Sequence, residues 1–273
     1  MNTLEKIIAH KKEAMKEQKT LYPIALLEKS IYFNTPVVSL KKYLKRPDKT
    51  GIIAEFKRQS PSKGAINPYA SVEEVTIGYM QAGASALSVL TDSRFFGGKN
   101  DDLTTARNYN FCPILRKDFI IDEYQIIESK SIGADAVLLI AACLSKEELK
   151  NLYSLAKSLG LEVLLELHHE EELEKILDND MIIGVNNRDL KTFEVSINQS
   201  IKMYDLLPKN AIKISESGIK SVGDIYYLKE VGYDGFLIGE TFMGTPNPSQ
   251  ACFNFIKELK NKSNANKSLR VEA

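Results

Sequence analysis

The sequence predicts an α/β fold, a closed (β/α)8 TIM barrel with an N-terminal helical extension capping it. Three observations carry that expectation. A helix-like segment, a glycine and a short apolar run recur together, as Gly83-Ala-Ser-Ala-Leu-Ser-Val-Leu90, Gly133-Ala-Asp-Ala-Val-Leu-Leu-Ile140, Gly160-Leu-Glu-Val-Leu-Leu-Glu166 and Gly232-Tyr-Asp-Gly-Phe-Leu-Ile238. The glycines are 50, 27 and 72 residues apart, about two, one and three lengths of a βα unit. Eight strand-like runs alternate with helical patterns, which favours a closed barrel over an open doubly wound sheet. No G-x-G-x-x-G follows the first run, which argues further against a dinucleotide-binding sheet.

Each element has a local reason. Glycine just past a helix accepts the left-handed conformation that stops it. Apolar runs without alternation suit parallel strands covered on both faces. The strands are expected at 51–57, 86–91, 113–118, 136–141, 162–167, 181–186, 211–216 and 235–239. Helices are expected at 71–81, 123–131, 146–158, 170–177, 197–206 and 221–230. Ser71-x-x-Glu74 and Ser145-x-x-Glu148 read as capping boxes. One domain covers residues 1–273: a helical extension over 1–50, the barrel over 51–260, and a polar tail over 261–273 that is expected to fray. The charged segment 3–19 is expected to cap one barrel mouth, with 21–27 and 31–40 supplying apolar faces for docking.

Composition excludes several classes. The 273 residues hold 36 basic and 36 acidic side chains, so no charge excess favours nucleic acid or a membrane surface. Cys112, Cys143 and Cys252 form no C-x-x-C pair, and they read as packing residues rather than as a disulfide framework, a zinc site or nucleophiles. Residues 1–19 have no signal-like apolar run, and the longest such run, 136–144, is too short to cross a bilayer. The chain reads as cytoplasmic and, lacking a long apolar stripe, as a monomer.

Chemistry in this architecture gathers where strands end. Period two places Glu55 and Lys57 on one face of the first strand. Lys117 ends the third, Glu166 the fifth, Asn186 and Arg188 follow the sixth, and Glu216 ends the seventh. Ser217-Gly218 and Gly239-Glu240 end the last two strands, where backbone N–H groups commonly hold a phosphate, so a sugar phosphate or a nucleotide monophosphate is expected. His168-His169 read as adjacent strand residues on opposite faces, and no metal is expected there.

At these strand ends the chain resembles indole-3-glycerol phosphate synthases. The matching stretches are Ile53-Ala-Glu-Phe-Lys-Arg-Gln-Ser-Pro-Ser-Lys-Gly64, Leu87-Ser-Val-Leu-Thr-Asp92 with Phe96-Gly-Gly98, Pro113-Ile-Leu-Arg-Lys-Asp-Phe119, Asp122-Glu-Tyr-Gln125, Leu164-Leu-Glu166, Gly184-Val-Asn-Asn-Arg-Asp-Leu190, Ile214-Ser-Glu-Ser-Gly-Ile219 and Leu237-Ile-Gly-Glu240. They span the barrel in order; Ser196 stands where the family often has aspartate.

The resemblance implies a carboxy-lyase of tryptophan biosynthesis. Its substrate would be the sugar phosphate 1-(2-carboxyphenylamino)-1-deoxyribulose 5-phosphate, with no cofactor. It implies Lys117 as general acid and Glu166 as acid/base in dehydration. Lys57 would pair with substrate anions, with a share in proton donation, and Glu55 would orient it. Ser60 and Pro61 would border the carboxylate, and Phe119 would pack on the aromatic ring. Asn186, Arg188 and Glu216 would hold substrate or loop geometry. Ser217, Gly218, Gly239 and Glu240 would cradle the phosphate. A phosphoribosylanthranilate isomerase would need a first-strand cysteine that is absent, and a non-catalytic barrel would have lost Lys117 or Glu166. The loop 58–67 reads as a lid.

Overall fold

A computed structural model describes residues 3–190 and 192–271. Eight parallel strands close into a barrel: β1 (Ile52–Phe56), β2 (Ala86–Leu90), β3 (Ile114–Lys117), β4 (Ala136–Ile140), β5 (Glu162–Leu167), β6 (Ile182–Asn186), β7 (Ile212–Glu216) and β8 (Gly235–Ile238). Each strand pairs with its sequence neighbours, and β1 closes the ring by pairing with both β2 and β8. Around the barrel lie α4 (Val72–Ala82), α5 (Ser93–Phe96), α6 (Asn100–Tyr109), α7 (Glu123–Ser131), α8 (Lys146–Ser158), α9 (Asn198–Tyr204), α10 (Val222–Val231), α11 (Glu240–Met243) and α12 (Pro248–Val271).

Two apolar populations follow the pleat. Ile53, Leu115, Leu138, Leu164, Ile182, Ile214 and Leu237 fill the interior. Their strand neighbours Ile52, Ala54, Ile114, Val137, Val163, Ile183 and Phe236 face the helices. Stepping on by two from the interior residues leads to Glu55, Lys117, Glu166, Gly184 and Glu216. The last interior layer at the C-terminal mouth therefore holds four ionisable groups, with Ile140 and two glycines, Gly184 and Gly239, beside them.

Helix starts obey the expected chemistry. Ser145 and Glu148 form a reciprocal capping box, while at Ser71 only the hydroxyl-to-Glu74 N–H bond is present. The helix expected at 170–177 is instead a 3-10 turn over Glu170–Lys175. Its apolar contribution is confined to Leu173 and the two residues Ile176 and Leu177, too little to stabilise longer α-helix. α6 escaped sequence reading because Asn100–Tyr109 is mostly polar and buries only Asp102, Leu103 and Ala106. Helix α12 continues to Val271, through most of the segment expected to fray.

The extension departs from expectation in how it docks. α1 (Thr3–Leu21) places Thr3, Leu4 and Ile7 on the cavity at the C-terminal mouth. After the short α2 (Ile24–Leu27), α3 (Leu40–Leu44) buries Leu40 and Leu44 against the interior cluster. Ser39 Oγ and the Lys41 N–H bond Glu162, where β5 begins, so both barrel ends are covered. The segments read as docking faces contribute chiefly Leu27 and Leu40; Leu21, Tyr22, Ile24, Leu26 and Ile31 remain exposed. No helix among the described residues is long and apolar enough to cross a membrane.

One α1 side chain ties the extension to the mouth. Lys11 Nζ lies 3.1 Å from Asp92 and 2.5 Å from Asp118, both carboxylates being almost fully buried. Asp92 accepts from the Phe95 N–H and Asp118 from the Phe119 N–H. Lys11 thus braces the turns carrying Phe96 and Phe119, whose rings lie 6.0 Å apart on the cavity wall. Burial opposes charge on Lys11, but the two carboxylates outweigh it and raise its pKa; burial likewise opposes charge on Asp118, and Lys11 with Arg116 lowers its pKa. A raised lysine stabilises the fold below its unfolded pKa, and a depressed aspartate does so above its own, so the brace holds from about pH 4 to about pH 10. Lys11→Met should destabilise the protein by about 3 kcal/mol at pH 7, as breaking a buried pair does. Denaturant melts at pH 7 and pH 3 check this: the difference should shrink at pH 3, below the unfolded aspartate value, where protonation of the unfolded chain erodes what Asp118 gains from Lys11.

Candidate active site

A cavity of about 620 Å³ opens at the C-terminal mouth. All fourteen residues singled out from the sequence line it: Glu55, Lys57, Ser60, Pro61, Lys117, Phe119, Glu166, Asn186, Arg188, Glu216, Ser217, Gly218, Gly239 and Glu240.

Its floor is ionic. Lys117 Nζ reaches from β3 to Glu166 Oε2 on β5 at 2.5 Å and to Glu216 Oε2 on β7 at 2.8 Å. Beside them Lys57 Nζ donates to Glu55 Oε1 at 2.7 Å. Gly184 on β6 makes room for this arrangement, because a Cβ there would collide with Glu216 Oε1. Gly239 does the same for Glu55, whose carboxylate occupies the space a side chain would need.

Burial sets the protonation pattern. It disfavours charge on Lys117, but the Glu166, Glu216 and Glu55 carboxylates outweigh it, and the lysine is held as an ammonium. Burial also disfavours charge on both glutamates. At Glu166 the Lys117 ammonium and a hydrogen bond from His168 win, and its pKa falls. At Glu216 burial, joined by repulsion from Glu166, outweighs Lys117, and the carboxyl is pushed up to about 7. The two carboxylates therefore compete for one cation, and Glu216 is the one that takes a proton. Its Oε1 has no hydrogen-bond partner among the described residues.

The walls divide by chemistry. Leu90, Phe96, Phe119, Leu138 and Ile140 make one side apolar. Opposite, Ser217 and Gly218 are successive residues in the left-handed region, with φ of 68° and 76°, and they turn the chain sharply after β7. Asn187 holds this turn: its Nδ2 donates to the Ser217 carbonyl and to Ser215 Oγ, while its Oδ1 accepts from Ser200. Gly239 and Glu240 flank the turn from β8.

The loop after β1 crosses the mouth. Arg58 anchors it, its guanidinium bonding the buried Asp102 at 2.5 and 3.0 Å. Residues Gln59–Ser60 and Gly64–Ala65 then pair as a small antiparallel ribbon. Its tip reaches over, with Lys63 3.3 Å from Glu240 and Ser62 accepting from Arg188. Arg188 also reaches Glu240, and its N–H donates to Asn186 Oδ1.

Sequence reasoning missed His168, Asn187, Lys11 and Asp118 around this site. His168 continues the inward period of Leu164 and Glu166, which is the signal that would have found it. Lys11 and Asn187 act on partners far along the chain, and Asp118 gains its part in the brace from the distant Lys11. Cys112 and Cys252 are buried apart from this chemistry, Cys143 stands within electrostatic reach of Glu166, and burial pushes all three thiols up to about 12.

The model of the indole-3-glycerol phosphate synthase family matches residues 4–259. The indole-3-glycerol phosphate synthase of Bacteroides thetaiotaomicron is 48% identical over 257 residues, covering 94% of this chain and 98% of that one. That of Thermoanaerobacter pseudethanolicus is 43% identical over 258 residues, with the same coverage of both chains. Among solved structures, 3-hexulose-6-phosphate synthase from Salmonella typhimurium superposes with a TM-score of 0.60 at 12% identity, covering 77% of this chain and 99% of that one. The tryptophan synthase α subunit of Legionella pneumophila does so with 0.58 at 13%, covering 81% and 97%. These two likenesses reach the barrel fold alone; identity to the synthases extends over barrel and extension together, and the chain belongs to the indole-3-glycerol phosphate synthase family.

Proposed function

We propose that this site converts 1-(2-carboxyphenylamino)-1-deoxyribulose 5-phosphate into indole-3-glycerol phosphate, carbon dioxide and water, with Lys117 as general acid. The observation that carries the assignment is the ammonium of Lys117 held between two buried glutamates on a cavity floor. An acid there meets the ketone oxygen of a substrate whose aromatic end lies on Phe119 and whose phosphate lies at Ser217–Gly218 and Gly239–Glu240.

Ring closure forms a bond between the carboxylate-bearing ring carbon and the ketone carbon. The ketone oxygen gains electron density as that bond forms, becomes a stronger base than an amine, and takes the Lys117 proton. Carbon dioxide then leaves without its bonding pair, which returns to the ring. Loss of the new hydroxyl as water, together with one substrate proton, completes the indole, and a proton from solvent restores the Lys117 ammonium. Glu166 serves this last step as acid and base. Lys57, oriented by Glu55, pairs with the substrate carboxylate beside Ser60 and Pro61, and Glu55 stabilises positive charge developing on the anilino nitrogen. Asn186 and Arg188 hold the loops across the mouth, and Glu216 keeps Lys117 aimed. The site is complete within one chain, which supports a monomer as the working unit; a soluble small-molecule substrate suits a cytoplasmic setting.

The test mixes purified protein with this substrate, without added metal or cofactor, and follows indole fluorescence and carbon dioxide release. The chain has no tryptophan, so its own background is low. Growth of both signals is the expected result; a folded protein that binds the substrate without turnover would overturn the reading. Lys117→Ala and Glu166→Gln should each lower kcat by about 100-fold or more while denaturant melts show an intact fold. Turnover near that of the unaltered protein in both would remove the assigned roles.

A further inference from the structure

Glu166 has a second partner. His168, two residues on along β5, is 2% exposed and points inward. Its Nε2 lies 2.9 Å from Glu166 Oε1, and its Nδ1 lies 3.2 Å from the Arg188 carbonyl oxygen. The backbone holds the ring from both sides: the His168 N–H donates to Glu172 Oε2 at 2.7 Å, and its carbonyl accepts from Gln199 Nε2 at 2.7 Å. His169, the next residue, is exposed.

Hydrogen-bond valence constrains the protons. A backbone carbonyl only accepts, so Nδ1 must carry a hydrogen. A neutral ring would then turn a bare Nε2 toward a carboxylate oxygen, lone pair against lone pair. The contact is favourable only when one further proton lies between them, on Nε2 or on Glu166. Glu166 thus sits in a row, Lys117–Glu166–His168, with a donor at each of its oxygens.

The charged groups around the ring agree with this. Glu166 faces it from its own strand and Glu172 from the turn that follows. Lys117 of β3 and Glu216 of β7 lie beyond Glu166, the Cys143 thiol stays neutral, and the Arg188 guanidinium is turned to Glu240. Burial works against a charged imidazole here, but the hydrogen bond and charge of Glu166, with Glu172 behind, outweigh it and raise the His168 pKa.

We propose that His168 is a positioning residue for Glu166 and stores the proton that Glu166 exchanges during dehydration. The inference rests on the reading of Glu166 as the dehydration acid/base. The imidazolium Nε2 proton passes to the Glu166 carboxylate, leaving neutral imidazole and a carboxylic acid. That acid delivers the proton to the departing hydroxyl, which leaves as water. The proton removed from the substrate returns through Glu166 to Nε2, and the pair ends as it began.

Two measurements test this. His168→Gln keeps an N–H donor beside Glu166 but cannot ionise, whereas His168→Phe removes both functions. With the carboxyphenylamino-deoxyribulose phosphate as substrate, both variants should lose at least about 10-fold in kcat with KM within about 2-fold. The pH profile of kcat should also lose the ionisation belonging to the pair. Wild-type kcat and an unchanged pH profile in His168→Gln, with Glu166→Gln inactive, would overturn the role of His168 and leave that of Glu166 standing. An active Glu166→Gln would remove the reading beneath it. Nitrogen-15 spectra of histidine-labelled wild-type protein need no variant to fold. Nδ1 should be protonated throughout, with Nε2 holding its proton above the ordinary histidine value of about 6.5; a bare Nδ1, or a ring already neutral at pH 6, would contradict the proposal.

Discussion

A single buried ammonium organises the mouth of this barrel. Lys117 bonds two glutamates from strands on the far side of the ring, and Glu166 would not remain ionised at this depth without it. The balance is unequal by construction. Two ammonium groups, Lys57 and Lys117, face three carboxyls, Glu55, Glu166 and Glu216. The surplus of one is resolved by placing a proton on Glu216, where burial and Glu166 disfavour charge. An acid held charged and a base held ionised, one hydrogen bond apart, are what a reaction alternating proton donation and removal requires.

The scaffold supplies that geometry through the strand period and two glycines. Interior aliphatic layers below the site fix the strand register, and Glu55, Lys117, Glu166 and Glu216 each stand two residues above one of them. Gly184 and Gly239 are small because Glu216 and Glu55 fill the space above them. The extension closes the other side: α1 roofs the cavity and, through Lys11, braces the turns that aim Phe96 and Phe119. One ion pair network thereby links a segment outside the barrel to the wall on which an aromatic substrate would lie.

Much of this was legible in the sequence because the signals are local. Glycine stops, apolar runs and Ser-x-x-Glu caps mark the βα units within a few residues. Period two then carries Glu55, Lys57, Lys117, Glu166 and Glu216 to one mouth. The missed features depend on distant partners. Lys11 gains its meaning from Asp92 and Asp118, and Asn187 from Ser200 and the left-handed turn at Ser217. α6 lacks an apolar stripe, and the 3-10 turn at Glu170–Lys175 has helix-like composition without enough to bury. His168 was passed over because two adjacent histidines invite a metal question, when the inward one belongs to Glu166.

The most direct test of the unequal sharing of Lys117 is a carboxyl titration by carbon-13 NMR on glutamate-labelled protein, with Glu216→Gln as the assignment control. One glutamate should titrate near 7, and its signal should vanish in the variant. If every glutamate carboxyl titrates below about 5, near the unperturbed range, Glu216 is ionised alongside Glu166 and the account of the site as one cation contested by two carboxylates is wrong.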